Sequence, residues 1–199
     1  MIRKINPKKL LGRVERALKD SDIKRIPLSH KMRVTEIVLK ICRLKKGFGM
    51  FIILGWRKKW WRKYAGVPDE TQDIFWRHHL NIYQESIKIQ RTVSFDGAIL
   101  INRKGEIIDS GIMIEGLRPT KTAFKVNPGG KNNDLSKKFG FKRKIHMRHL
   151  SAISASYELK NTTIFTISEE TGDFHIFEKG RIIFSTVKKE GYEVDATFP

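Results

Sequence analysis

The chain has 199 residues, of which 40% are hydrophobic, 31% charged and 10% aromatic, a balance that suits one globular domain and excludes disordered and collagen-like architectures. A single cysteine, Cys42, excludes an internal disulfide framework and any multi-cysteine metal site. Lysine and arginine number 40 against 21 acidic residues, and the net charge of +19 points to a polyanionic partner.

That charge is uneven. The first 66 residues hold 20 basic and 4 acidic residues, and the remainder holds 20 and 17. Within the remainder, Arg118 to Arg148 contains 10 basic residues against Asp134 alone. No apolar stretch follows Met1, so no secretory leader is expected, and the longest apolar run, Met50 to Leu54, is too short to cross a bilayer. The expectation is a cytoplasmic protein without a transmembrane segment.

From Pro7 to Asp20, Leu10, Leu11, Val14, Ala17 and Leu18 share one helical face, and Asp20 and Ser21 supply a stop. Ser29 is placed to cap a second helix in which Val34, Ile37, Val38 and Ile41 recur at helical spacing and Cys42 reads as a small core residue. Gly47-Phe-Gly49 breaks the pattern, and the apolar run Met50 to Leu54 reads as a buried strand. Trp56 to Tyr64 mixes four aromatics with five cations without periodicity and reads as a loop. Beyond Pro68, the acidic opening Asp69-Glu70 and the run to about Gln90, with Ile74, Phe75, Ile82 and Ile87, read as a third helix.

From Ser94 the period falls to two. Phe95 to Ile101 and Glu106 to Ile114 flank Asn102-Arg-Lys-Gly105, a hairpin turn. A long loop with little regular pattern follows, from Arg118 to about Met147. Arg148 to Leu159 reads as a helix with Ala152, Ile153, Ser156 and Leu159 inward. Thr162 to Ile167, Phe174 to Glu178 and Arg181 to Val187 read as closing strands, with Lys179-Gly180 turning between the last two. This order predicts an α/β fold with a mixed central sheet flanked by helices.

Three stretches carry chemistry. Asp96-Gly97-Ala98 sets a carboxylate before two minimal side chains, so that a ligand can approach the backbone while the acid holds a metal or a hydroxyl; an ordinary turn at the start of a strand is the plainer alternative. Arg148-His149 opens a helix, where unpaired N–H groups and an arginine fork suit phosphate; the alternative is a solvated arginine beside a histidine packed under the loop. Ser168-Glu-Glu-Thr-Gly172 ends a strand with paired carboxylates and two hydroxyls, able to hold a divalent ion and a triphosphate, or simply to turn a charged hairpin. His78-His79 has no third ligand nearby, and Pro128-Gly-Gly lacks the context of a Walker loop.

Taken in order, Asp96-Gly97-Ala98, a hairpin ending in Ser110-Gly-Ile-Met-Ile114, a loop, Arg148-His149 and Ser168-Glu-Glu-Thr-Gly172 resemble the diadenylate cyclase (DAC) domain family. Phe48 to Leu54 is similar to that family's core strand and Phe177 to Phe184 to its closing hairpin, so the resemblance covers Ile26 to Val187. It implies a DAC-like domain over residues 26–190, a basic helical extension over 1–25 and a tail over 191–199. It also implies a nucleotidyltransferase that condenses two ATP into cyclic di-AMP and releases pyrophosphate. The active site would form face to face in a homodimer or higher oligomer, with Mg²⁺ or Mn²⁺ as cofactor.

Carried onto this chain, the resemblance makes Asp96, Arg148, His149 and Glu169 catalytic, and Asp96, Glu169 and Glu170 metal ligands. Gly97, Ala98, Gly111, Ile114, Met147, Ser168, Glu170 and Thr171 would bind nucleotide. The family usually reads Gly-Thr-Arg-His-Arg where this chain has His146-Met147-Arg148-His149-Leu150. Met147 thus replaces a hydroxyl expected on phosphate and Leu150 a second cation, with Lys137, Lys138, Lys142, Arg143 and Lys144 nearby as replacement charge. A catalytically silent nucleotide-binding sensor is therefore the second reading. The third uses Trp56 to Tyr64 as a nucleic-acid or anionic-membrane contact, against the alternative that its tryptophans pack on the domain while its lysines face water.

Overall fold

The computed structural model describes residues 6–21, 23–44, 47–68, 81–84, 97–128 and 134–191. Helix α1 (Pro7–Lys19) begins where the Asn6 side chain accepts from the backbone N–H groups of Lys8 and Lys9 at 3.0 and 3.4 Å, with Pro7 in the first turn. Its buried stripe is Leu10, Val14 and Leu18. Helix α2 (Leu28–Leu44) starts on the Pro27 carbonyl, which accepts from the N–H groups of His30 and Lys31; Ser29 therefore lies inside the first turn and does not cap it.

Seven strands form one sheet: β1 (Met50–Leu54), β2 (Ala65–Pro68), β3 (Ala98–Ile101), β4 (Ile107–Ile114), β5 (Thr163–Ile167), β6 (Phe174–Glu178) and β7 (Arg181–Ser185), in the order β2-β4-β3-β1-β5-β6-β7. Strands β1 and β3 are parallel and every other neighbouring pair is antiparallel, so the sheet is mixed, as the element order predicts. Because β1 is buried on both faces, its alternate residues feed two cores. Met50, Ile52 and Leu54 pack with the apolar stripes of α1 and α2, while Phe51 and Ile53 pack with Ala152 and Ile153 of helix α6 (Met147–Glu158) and with Trp56 and Trp60. Helices thus cover both faces of the sheet, and α1 shares the core of α2 and the strands.

The structure departs from the sequence reading at three further places. Trp56 to Tyr64 is not a loop: a short 3₁₀ turn (Lys58–Trp60) leads into helix α3 (Trp61–Tyr64) and then β2, which the reading missed. The stretch Arg118 to Met147 contains helix α4 (Pro119–Val126) and helix α5 (Leu135–Lys138). The buried positions of α4, Thr122 and Ala123, are small or polar, so no apolar periodicity marks it. Asn81 to Gln84, placed in the third helix, is a turn bridged to Glu106. The rest of that helix, with His78-His79, lies outside the described residues.

A fully buried charge cluster ties the helices to the sheet. Lys31 on α2 donates from Nζ to Glu178 Oε1 on β6 at 2.8 Å, to the Ile23 carbonyl at 3.0 Å and to Ser21 Oγ at 3.2 Å. All three ammonium protons are therefore directed at oxygens. Glu178 also accepts from the Ser21 hydroxyl and, at 2.5 Å, from Thr163 Oγ1 on β5. Lys31 and Glu178 side chains are each 2% exposed. Removing one partner strands the other charge in the core, which costs about 3–5 kcal/mol. Lys31→Met should accordingly lower the urea midpoint steeply, whereas Lys31→Met/Glu178→Leu should recover a large part of the loss; equal midpoints for the single and double variants would rule out the stranded charge as the cause.

Candidate functional site

One end of the sheet gathers the distant motifs. Strands β1 and β3 begin there and β4 and β5 end there, as the pairs Met50–Ile167 and Ala98–Ile112 require. The first turn of α6 lies over that end and closes a pocket of about 280 Å³ lined by Phe51, Gly97, Met113, Ile114, Met147, Arg148 and Ser151. Its lining is mostly apolar, with Arg148 as the one cation among the lining residues. Met113 and Met147 stand 48% and 69% exposed at its rim, a large apolar display beside one cation.

Two glycines shape this end of the sheet. Gly97 has φ +103°, and a Cβ there would lie 2.6 Å from the backbone carbon of Gly111, which itself has φ +71°. The two residues let β3 and β4 approach closely where their pairing is irregular, so the fold needs Gly97 whatever the pocket holds. Gly49, just before β1, is the seat of Arg148: a Cβ there would overlap the guanidinium. Arg148 is thereby held against the sheet end, with Nη2 3.7 Å from Glu169 Oε2.

The Ser168 to Gly172 stretch is the tight connection between β5 and β6. Ser168 N–H donates to the Asp173 carbonyl at 2.9 Å, Gly172 N–H to the Ser168 carbonyl at 2.8 Å, and the Thr171 hydroxyl to Asp173 Oδ2 at 2.7 Å. Ser168 Oγ accepts from Thr171 N–H at 3.3 Å, so this stretch does turn a charged hairpin, and it presents Glu169 and Glu170 outward.

Arg148 and His149 face different places, as neighbours on a helix must. His149 is buried and lines a separate crevice of about 60 Å³ with Ser168, Glu170, Thr171, Asp173 and His175. Its ring meets Phe141 edge-on and lies 5.0 Å from His175, and its Nε2 has no hydrogen-bond partner. Burial above all, reinforced by the neighbouring His175 and Arg148, pushes the His149 pKa down to about 3. The ring is therefore neutral at pH 7. Below it, His175 Nε2 meets Glu190 Oε2 at 2.7 Å. Burial pushes the Glu190 carboxyl up, but hydrogen bonds from His175, Ser185 and the Lys142 N–H outweigh it and hold the carboxyl below its ordinary range.

Of the residues singled out in the sequence, Gly97, Ile114, Met147 and Arg148 line one pocket, and Glu169 reaches its arginine. Ala98 and Gly111 lie in β3 and β4 and do not line that pocket, Gly111 packing against Gly97. His149, Ser168, Glu170 and Thr171 belong to the small crevice beside it, where His146 Nε2 stands 3.4 Å from Glu170. Asp96 lies outside the described residues. Met113 belongs to the Ile112 to Ile114 stretch expected to line the nucleotide pocket, whereas Gly49, Phe51 and Ser151 were not singled out as site residues, although Ser151 sits one helical turn after Met147 and shares its face, a spacing legible in the sequence.

The donor chemistry of Glu169 and Glu170 suits a hard cation such as Mg²⁺ or Mn²⁺. Among the described residues, however, no group of three His, Cys, Asp or Glu side chains converges on one point. The two glutamates alone do not make a site, and a third oxygen ligand has to come from elsewhere. No described helix is long and apolar enough to cross a membrane.

No protein-family profile matches the chain, and none of the curated proteins does. Among solved structures, it is similar to a hypothetical membrane spanning protein from Bacillus cereus, with a TM-score of 0.47 and 16% identity over 78% of this chain and 62% of that one. It is also similar to a double mutant of DacA from Staphylococcus aureus, with a TM-score of 0.46 and 16% identity over 81% of this chain and 88% of that one. The chain spans less than two thirds of the Bacillus cereus protein. Likenesses this distant say nothing about activity.

The neutral His149 generates a pH dependence. Its folded pKa of about 3 lies below the ordinary value of 6.5, so the unfolded chain binds the extra proton first and stability falls as pH drops from 6.5 towards 3. The depressed Glu190 carboxyl adds its own loss only below 4.5, the ordinary value from which it is lowered. Melting temperature should therefore decline between pH 6.5 and 5, and His149→Phe should flatten that decline. An unchanged slope in the variant would show that another group titrates there.

Proposed function

We propose that this chain is a nucleotidyltransferase of the diadenylate cyclase type, condensing two ATP molecules into cyclic di-AMP and pyrophosphate. The observation that carries the reading is the pocket, in which Gly97, Ile114 and Arg148, from three separated stretches of the DAC-like order, meet around about 280 Å³ with Glu169 beside the arginine. Phe51, Met113 and Ile114 offer an apolar slot for a purine, and Gly97 leaves backbone open to it. Arg148, seated on Gly49, would fork onto phosphate oxygens and stabilise the charge that develops as the α-phosphorus is attacked. The pocket opens to the surface past two exposed methionines, which supports a second protomer presenting its own nucleotide across that rim.

Asp96 with Glu169 and Glu170 would hold the divalent ion, whose chemistry is to neutralise phosphate charge and make the ribose hydroxyl a better nucleophile. The protein's own share is positioning: the sheet end fixes Gly97 and Ile114, and Gly49 fixes Arg148.

Two observations favour the silent sensor as the second reading. Met147 occupies the helix start where the family places a hydroxyl, and it is 69% exposed. His149, expected on phosphate, is buried in the neighbouring crevice instead. The nucleic-acid reading loses most of its stacking platform, because Trp56, Trp60 and Tyr64 are buried and Trp61 packs partly against the same core, while Lys58, Lys59, Arg62 and Lys63 face outward.

Purified protein incubated with ATP and Mn²⁺ or Mg²⁺ should yield cyclic di-AMP, read by chromatography and mass spectrometry. Arg148→Ala should reduce turnover by about 10²–10³-fold. Product at the same rate from that variant would remove Arg148 from the site, and ATP binding without product from the unaltered chain would decide for the sensor. Met147→Thr should raise turnover about tenfold, the effect of one regained phosphate contact; no gain would mean that the methionine has no catalytic cost.

A further inference from the structure

At the opposite end of the sheet, three arginines from three separate segments come together, and among the described residues no acid pairs with them. Arg25 lies in the connection between α1 and α2, Arg57 follows β1, and Arg103 sits in the turn between β3 and β4. Backbone geometry locks these segments to one another. The N–H groups of Gly55 and Trp56 both donate to the Ile101 carbonyl, at 2.8 and 2.9 Å, which sets Arg57 beside the turn carrying Arg103. Ile26 packs so closely on Gly55 that a Cβ there would lie 2.7 Å from its Cδ1, which brings Arg25 to the same corner. His30 Nδ1, at 3.1 Å from the Arg103 carbonyl, joins α2 to that turn.

The guanidinium of Arg103 is the unusual part. Its Nε and Nη2 are shielded from solvent and have no hydrogen-bond partner. Buried donors without partners are rare in folded proteins, and those of a cation are the most expensive to leave so. Among the described residues no carboxylate pairs with Arg25, Arg57 or Arg103. The acid of the turn itself, Glu106, is taken by Asn102 Nδ2 at 2.6 Å. Burial first, and then the like charges of Arg57 and Arg25, hold the Arg103 guanidinium below its ordinary pKa. Three like charges held at one corner by the fold, with directed donors unused, describe a receptor for a compact oxyanion.

We infer that Arg25, Arg57 and Arg103 form a binding site for a phosphate group, carried by a small phosphorylated ligand or as the free ion. A tetrahedral dianion would satisfy the unused Arg103 donors as a fork and neutralise the three-way repulsion, which a carboxylate's single charge does less completely. The reading does not depend on the proposed cyclase activity, because the site lies at the sheet end away from Arg148 and uses none of its residues.

The test uses inorganic phosphate as the probe, followed by calorimetric titration and by thermal shift of the full chain at near-physiological chloride. Phosphate should bind and raise the melting temperature, and Arg103→Met should weaken that binding about tenfold or more, the size expected when a charge-assisted contact is lost. Arg57→Met, a milder change at a half-buried position, should weaken it too. Lys40→Met, which removes an equal charge from the exposed face of α2, should leave it intact. Without phosphate, Arg103→Met should be at least as stable as the unaltered chain, since it deletes unpartnered buried donors. Binding that is equal in all four proteins, or absent in all, would overturn the site. A single-stranded oligonucleotide without terminal phosphates supplies the phosphodiester control. Arg103-dependent binding of that polymer alone would overturn the small-ligand assignment.

Discussion

The arrangement rests on the buried ion pair between Lys31 and Glu178. The pair is embedded in oxygens from three other residues, so each charge has its hydrogen-bonding capacity met where water does not reach. Its partners span the α1–α2 connection, α2, β5 and β6. Burying apolar stripes would hold α1 and α2 against the sheet in several registers of similar energy, because the hydrophobic effect has no direction. Hydrogen bonds from one ammonium do have direction, and they pin the helices to particular strands. Such a cluster contributes specificity of arrangement more than net stability.

Both sheet ends inherit their geometry from that anchorage. The Ile23 carbonyl is one of the atoms that Lys31 holds, and the same connection carries Ile26 into the core against Gly55 and brings Arg25 to its corner. At the other end, β5 leaves Thr163, which is bonded to Glu178, and delivers Ser168 to Gly172 next to the beginning of β1. The pocket there is shaped by what is missing: no Cβ at Gly49, where Arg148 lies, and none at Gly97, where β4 crosses. The positive charge is correspondingly divided between an arginine beside an apolar slot and a corner of arginines with unused donors.

Much of this was legible from residues alone. The apolar spacing of Leu10, Val14 and Leu18 marks α1, and the unbroken Met50 to Leu54 run marks β1 with the bounds the structure shows. The hairpin around Asn102 to Gly105 and the last three strands are carried by turn chemistry and period-two patterning. Periodicity failed where burial is accomplished by residues that do not look apolar or periodic. Helix α4 buries Thr122 and Ala123, and the Trp56 to Tyr64 segment buries three aromatics while its cations reach outward on long stems. The candidate site was legible in part for the same reason. Arg148 and Ile114 announce themselves by residue type, whereas the part played by Gly49 is visible only when another side chain lies across it.

What the sequence by itself determined is therefore the class of architecture and the set of residues able to do chemistry, because hydrophobic period, turn residues and side-chain type are local properties. Tertiary structure alone decided which of those residues meet. Adjacent residues on a helix point in different directions, so Arg148 faces the pocket while His149 is buried beside His175 and kept neutral. Residues far apart in the chain, such as Arg25, Arg57 and Arg103, become one corner because backbone hydrogen bonds and core packing join their segments. Proximity across the chain is a property of packing, and no local pattern encodes it.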